Sequence, residues 1–143
     1  MSDSVVQLTG VSKTHDGPSG PIAALDDVSL EVGRGEFVVI RGPSGSGKST
    51  LLLTVGGMQR PSKGSVAVAG VDVYQMSSRG RGRFRAEQIG FVFQLFHLLP
   101  YLTVLDNVAL GGADKDRTRA AELLEQFGLA DRRQQDPTTL SAG

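Results

Sequence analysis

The chain has 143 residues, 39% of them hydrophobic and 21% charged, with 15 basic and 15 acidic side chains and a formal net charge of +0. This is enough sequence for one domain with a real core, and the balanced charge gives no global attraction for nucleic acid or an anionic membrane. A cysteine count of 0 excludes disulfides and cysteine-ligated zinc, no apolar run reaches the length of a membrane span, and Met1-Ser2-Asp3-Ser4 lacks the basic and apolar regions of a signal peptide.

In chain order, residues 5–11 predict a first strand and residues 14–21 a loop rich in Gly and Pro. Residues 22–32 predict a second strand, with Ala24, Val28, Leu30 and Val32 apolar. Gly33-Arg34-Gly35 turns into residues 36–41, a short β-branched apolar run expected to form a third strand. That run ends at Gly42-Pro43-Ser44-Gly45-Ser46-Gly47-Lys48-Ser49-Thr50, which carries two glycines five apart followed by Lys and Ser, and residues 49–55 continue as a helix closed by Gly56-Gly57 and Pro61.

Strand, glycine loop and helix in that order form a phosphate cradle. The glycines let successive amide N–H groups converge on an anion, and the helix directs its positive dipole end at the same oxygens. In such a loop Lys48 would reach the β- and γ-phosphates and the Ser49 hydroxyl would hold Mg2+. The alternative, a merely flexible Gly/Ser loop, leaves the position of Lys48 and Ser49 without a reason.

Residues 64–70 and 71–73 predict two short strands around a glycine turn. Early strands joined without helices imply an antiparallel layer beside the nucleotide core. Residues 77–88 carry Arg79, Arg81, Arg83 and Arg85. With no aromatic interleaved and no net charge behind them, a solvated face is the favoured reading over an anion patch. Residues 89–93 form a continuous apolar run, expected to be a buried strand of the parallel type, ended by Gln94. Beyond it the texture turns helical. Residues 103–110 begin with a Thr N-cap, and residues 116–127 space Ala120, Leu123, Leu124 and Phe127 on one face before Gly128 stops the helix. Between the 89–93 run and the Thr-capped helix, Phe96, Leu98, Leu99, Tyr101 and Leu102 make a dense apolar cluster for a connector, and His97 among them is expected to be half-buried packing.

With the phosphate loop, Gln94 and the final Leu140-Ser141-Ala142-Gly143 in place, the chain resembles over essentially its whole length the nucleotide-binding subunit of ABC transporters. Residues 91–100 and Leu105-Asp106-Asn107-Val108 look like the lipoprotein-releasing and macrolide-export branch. The resemblance implies an α/β fold: a P-loop NTPase core, here incomplete, with an antiparallel β-subdomain and the start of a helical subdomain. It implies a division at roughly 1–94 for β-subdomain and core and 95–143 for the helical part.

Carried over residue by residue, it implies ATP and Mg2+ held by residues 42–50: Gly42, Pro43, Ser44, Gly45, Ser46, Gly47, Lys48, Ser49 and Thr50. Gln94 resembles the glutamine that contacts Mg2+ and the attacking water, so Lys48 and Gln94 would serve catalysis, and Ser49 and Gln94 the metal. Ser141 and Gly143 resemble signature residues that touch the γ-phosphate held by a second copy, although a plain helix N-cap would also use Ser141. The family's adenine-stacking aromatic, usually Tyr, falls at His15. An imidazole can stack with less area than a phenol ring, and a loop histidine facing water is the plain alternative.

The implied partners are a transmembrane permease subunit and a second nucleotide-binding domain in a homodimer, with no nucleic acid. The implied location is cytoplasmic, peripheral to the cell membrane and joined to it only through the permease. Because the sequence stops inside the signature, the Walker B strand with its Asp and catalytic Glu, the D-loop and the switch His are expected to lie outside this stretch. The stretch is therefore expected to bind nucleotide without hydrolysing it, while the whole subunit would be an ATPase. Other readings are an ABC-type ATPase without a membrane partner, a nucleotide-binding module with no catalysis, and an unrelated P-loop kinase or GTPase, which would lack the Leu-Ser-x-Gly ending.

Overall fold

The computed structural model describes residues 4–18, 20–94, 97–112 and 114–140. They fall into two compact units divided after Gln88.

The first unit is built on a long hairpin. Strand β1 (Ser4–Gly17) pairs antiparallel with β2 (Gly20–Gly33), from Ser4 opposite Gly33 to Gly17 opposite Gly20. The strands therefore take in residues 14–17 and 20–21 of the stretch where the Gly and Pro content predicted a loop. The register shifts between Leu8 and Val11 and again between Val11 and Thr14. At these bulges Gly10 (φ +58°) and Asp27 (φ +49°) take left-handed backbone. Side chains staple the irregular points: Ser29 Oγ accepts from Gly10 N at 3.0 Å, and Ser12 Oγ accepts from Asp27 N at 3.0 Å.

On its other edge β1 pairs antiparallel with β3 (Lys63–Val68), which pairs with β4 (Val71–Asp72), giving the order β2-β1-β3-β4. Leu8, Val11, Leu25, Val66, Val68, Val73 and Tyr74 are buried, and Val11, Val66 and Val73 are wholly so. Each fully buried Val contributes about 1.5–3 kcal/mol relative to exposure. Helix α1 (Lys48–Val55) rests against β1, β2 and β3 and sends Thr54 into this core.

Two expected strands do not form ladders. Residues 36–41 and 89–93 pair with no strand among the described residues. Phe37 is 89% exposed and Val92 fully so. The cause is geometric: a parallel core strand needs a neighbour on each side, and the sheet present is antiparallel throughout and ends at β2 and β4. Phe91 and Phe93 stack on each other at 5.4 Å, as side chains two apart on an extended chain do.

Residues 77–88 fold as helix α2 (Ser78–Gln88). Arginines two apart then point to opposite sides, about 200° around the axis. Arg83 bonds Glu87 at 2.6 Å on the exposed side. Arg81 and Arg85 instead turn inward, donating to the carbonyls of Met76 (3.2 Å) and Gly57 (3.0 Å). The solvated-face expectation therefore describes only half of this run.

In the second unit, α3 (Val104–Leu110) and α4 (Arg117–Gln126) pack together around Val104, Leu105, Ala109, Ala120 and Leu124, with Leu129 and Leu140 against them. Thr103 caps α3, its Oγ1 accepting from Asp106 N at 3.1 Å, and Asp116 caps α4 by accepting from Thr118 N and Arg119 N. Arg117 joins the helices through Asp106 at 2.6 Å. Gly128 (φ +70°) ends α4 as expected, with Leu129 N donating back to Leu124 O at 2.7 Å. Phe127, placed by periodicity on the core face, is 76% exposed because it lies past the last helical residue. Asp136 caps the short turn Pro137–Thr139, and hydrogen bonds from the Thr138 hydroxyl and N–H hold its carboxyl below the usual range.

Thr54 is fully buried, yet its hydroxyl has no hydrogen-bond partner. An unpaired buried hydroxyl costs about 1–3 kcal/mol. Thr54→Val keeps the shape and removes that cost, so it should raise stability by about 1 kcal/mol. A higher denaturant midpoint at unchanged m-value is the expected result; a lower midpoint would show that the hydroxyl is satisfied.

Candidate functional site

The loop that leads into α1 is shaped by its glycines. Gly45 (φ +80°) and Gly47 (φ +83°) adopt left-handed backbone, and a Cβ on Gly47 would run into the Ala24 carbonyl oxygen of β2. The loop therefore sits directly on the hairpin, so close that only a residue without a side chain fits. At Gly45 nothing lies within 4 Å of the same position, so there the demand is on φ alone.

From Gly47 the chain enters α1 with no side-chain cap. Leu51 N donates to Gly47 O at 2.8 Å, which leaves the N–H groups of Lys48, Ser49 and Thr50 ahead of the first intrahelical bond. The other helices differ. Besides the caps of α3 and α4, Ser77 Oγ accepts from Gly80 N at the start of α2, at 3.1 Å. The first amides of α3, from Val104 and Leu105, are taken by the carbonyls of Gln135 (3.1 Å) and Arg133 (2.9 Å).

The open amides of α1 face a cleft of about 250 Å³ lined by residues 44–50 and Ala24. Lys48 folds back over the loop. Its ammonium donates to the carbonyls of Gly42 (2.9 Å) and Pro43 (2.6 Å) and lies 3.5 Å from Ser46 Oγ. A cation, uncapped helix amides and the hydroxyls of Ser49 and Thr50 thus meet at one cleft that has no carboxylate among its lining residues. That combination attracts a polyanion. Among the described residues no group of three or more His, Cys, Asp or Glu side chains could hold a metal. The side-chain hydroxyls that line the cleft are those of Ser44, Ser46, Ser49 and Thr50.

Residues 44–50 thus line one cleft, with the carbonyls of Gly42 and Pro43 accepting from Lys48. His15 lies on β1, half-buried, rather than in a loop, and its Nε2 is 3.2 Å from the Gln59 side-chain nitrogen. It is not among the residues lining the cleft. Gln94 belongs to the second unit, where it is exposed and follows the Phe91–Phe93 stack. His97 is exposed rather than half-buried and meets Phe93 edge-on at 5.1 Å. Ser141 and Gly143 lie outside the described residues, as does Phe96.

Two side chains matter more than their sequence context suggested. Asn107 clamps the apolar connector: its Oδ1 accepts from Leu99 N at 2.7 Å, and its Nδ2 donates to the carbonyls of Leu99 (3.1 Å), Leu102 (3.3 Å) and Thr103 (3.0 Å). Tyr74 closes the far end of α1, its hydroxyl 2.8 Å from Thr54 O and 2.6 Å from Gln59 O. Burial raises the Tyr74 phenol above its ordinary value, against the opposing pull of Arg81, so it remains a donor at neutral pH. The available signals were slight: a second polar residue beside Asp106 in the first turn of α3 (Asn107) and an aromatic in the turn after β4 (Tyr74).

Comparison with known proteins extends this picture. A family model described as ABC transporter matches residues 25–143. An uncharacterized ABC transporter ATP-binding protein of Thermotoga maritima is 48% identical over 145 residues, 97% of this chain and 62% of its own length. The lipoprotein-releasing system ATP-binding protein LolD of Hyphomonas neptunium is 40% identical across 100% of this chain and 65% of its own length. Among solved structures, the dimeric post-hydrolysis state of the ATP-binding cassette MJ0796 bound to ADP and Pi superposes with a TM-score of 0.82 at 37% identity, covering 95% of this chain and 63% of that one. The chain spans less than two thirds of the length of these relatives.

The two loop glycines should separate in a substitution test. Gly45→Ala meets only the left-handed backbone penalty of about 1–2 kcal/mol, whereas Gly47→Ala adds a clash with β2 and should lose clearly more. Thermal melts without nucleotide compare them; equal losses would mean that Gly47 does not press on Ala24.

Proposed function

The chain belongs to the ABC transporter family, and on that premise we propose that it is the nucleotide-binding portion of a subunit that couples Mg-ATP binding and hydrolysis to transport by a membrane partner. The observation that carries this reading is the uncapped start of α1 beneath Lys48. The starts of α2, α3 and α4 are each closed by a side chain, and this one presents free amides and a cation to the same cleft.

Phosphate oxygens fit that cleft. In the proposed complex the amides of residues 45–50 donate to the phosphate chain, and Lys48 leaves the carbonyls of Gly42 and Pro43 to meet the β- and γ-phosphates. The Ser49 hydroxyl would hold Mg2+, which when bound would supply positive charge beside the phosphate oxygens. Gln94 would be a further ligand and would orient the attacking water, and Ser141 and Gly143 would reach the nucleotide of a second copy in a homodimer. His15, steadied by Gln59, offers its ring to the base. With no carboxylate lining the cleft, this chain binds and positions nucleotide, and phosphate release by it should stay at background.

The partner we propose is a transmembrane permease of the lipoprotein-release or export kind, with the subunit cytoplasmic and joined to the membrane through it. Among the described residues no helix is long and apolar enough to cross a membrane. The supporting feature is the connector fixed by Asn107, which leaves Leu98 43% and Tyr101 77% exposed while Leu99 and Leu102 are half-buried. Part of the apolar cluster folds onto its own unit and part is free to dock.

For nucleotide binding, Mg-ADP at a hundredfold excess over its dissociation constant should stabilise this chain by about 2.7 kcal/mol, and Lys48→Ala should remove most of the melting shift. An unchanged shift in Lys48→Ala, or phosphate release that vanishes with that substitution, would contradict the respective half of the proposal.

For docking, Tyr101 is the cleaner probe than Leu99, whose backbone is bonded twice to Asn107. In the full-length subunit Tyr101→Glu should abolish co-purification with the permease and leave nucleotide affinity intact. Normal co-purification and transport would refute the docking assignment.

A further inference from the structure

The amino end of α1 presents the phosphate cradle, but little holds that end except Gly47 against Ala24 and the Lys48 ammonium on its own loop. The carboxyl end is held from several directions. Leu53 O accepts from Met58 N (2.9 Å) and Gln59 N (3.1 Å), and Thr54 O accepts from Gly57 N at 3.2 Å as well as facing the Tyr74 hydroxyl at 2.8 Å. That hydroxyl also lies 2.6 Å from Gln59 O, and Arg85 Nη1 donates to Gly57 O at 3.0 Å. Gly57 (φ +69°) is pressed so close to Val73 that a Cβ would come within 2.8 Å of its Cγ1.

Tyr74 is itself fixed. Its carbonyl accepts from Arg60 at 2.6 Å, and the Arg60 and Arg81 guanidinium groups stand 5.3 and 5.5 Å from its ring centroid. Among the described residues no ion pair joins Arg60, Arg81 or Arg85 to a carboxylate. Their charge is applied to backbone carbonyls and to the Tyr74 ring beside the negative end of the helix dipole.

An eight-residue helix is a stiff rod about 12 Å long. Whatever fixes its carboxyl end fixes where its open amides point, and small misplacements of such groups are costly to phosphate recognition. We propose that Tyr74 and Arg85 are positioning residues for the phosphate cradle, acting through the carboxyl end of α1. The proposal rests on the nucleotide-binding reading of the cleft.

The test is a titration of this chain with Mg-ADP and, separately, with pyrophosphate, at a temperature well below melting. Pyrophosphate reports on the cradle alone. Tyr74→Phe and Arg85→Met should each weaken both ligands about fivefold. Arg85→Lys, which restores a cationic donor for Gly57 O, should recover most of the loss. Val11→Ala, a core change on β1 that lowers the melting temperature without touching α1's carbonyl anchors, should leave affinity unchanged. Parental affinity in Tyr74→Phe and Arg85→Met would overturn the proposal, as would an equal loss in Val11→Ala. Should Arg85→Met fail to fold, Tyr74→Phe, which removes one oxygen, decides alone. Unchanged affinity in Lys48→Ala would instead defeat the nucleotide reading beneath it.

Discussion

The first amides of a helix have no partner inside it, and folded chains rarely leave such donors unanswered. At α2, α3 and α4 a Ser, a Thr or an Asp supplies the answer. At α1 the residue in the cap position is Gly47, which has no side chain to offer and could not carry one beneath the Ala24 carbonyl. The same glycine therefore brings the loop against the sheet and leaves the helix start open. Lys48, Ser49 and Thr50 are arranged around the resulting field, and the Lys48 ammonium, lacking an acid, settles on the carbonyls of Gly42 and Pro43.

This arrangement was legible in the sequence because it is local. Two glycines five apart, a Lys and a Ser specify backbone conformations and donors within nine residues, and tertiary contacts refine them only slightly. Thr103, Asp116 and Gly128 were legible for the same reason, since caps and stops act on the next few amides. The extended runs at 36–41 and 89–93 were not. Their apolar, β-branched composition records the environment a strand is built for, but a ladder requires a second strand at 4.7–4.9 Å. The sheet β2-β1-β3-β4 provides none for them. Phe37 and Val92, among the most exposed large side chains, are where composition and observed pairing disagree most.

The arginine run was read as one solvated face, and that holds for only part of it. Arginines at 79, 81, 83 and 85 alternate as a one-sided face would on a strand, and on a helix the same spacing divides them between two sides. The inward pair lies at 81 and 85, one helical turn apart. Its partners are backbone carbonyls, which no count of acidic residues would reveal. Tyr74 escaped notice likewise, because the groups it meets are the carbonyls of Thr54 and Gln59, some 15–20 residues earlier.

The two ends of α1 thus obey opposite rules for one purpose. A helix end that must receive a ligand cannot be closed by the chain, so its orientation has to be set elsewhere. The carboxyl end can be closed by the chain, and here the carbonyls of Leu52, Leu53, Thr54 and Gly57 are met by a phenol, a guanidinium and the amides of residues 56–59. The buried, unpaired hydroxyl of Thr54 lies in that same last turn. The turn tolerates an unanswered side-chain donor while its carbonyl is tied to both Gly57 and Tyr74. Backbone satisfaction at the carboxyl end is thus kept even where a side chain goes unpaired, as expected if the direction of the open amides depends on it.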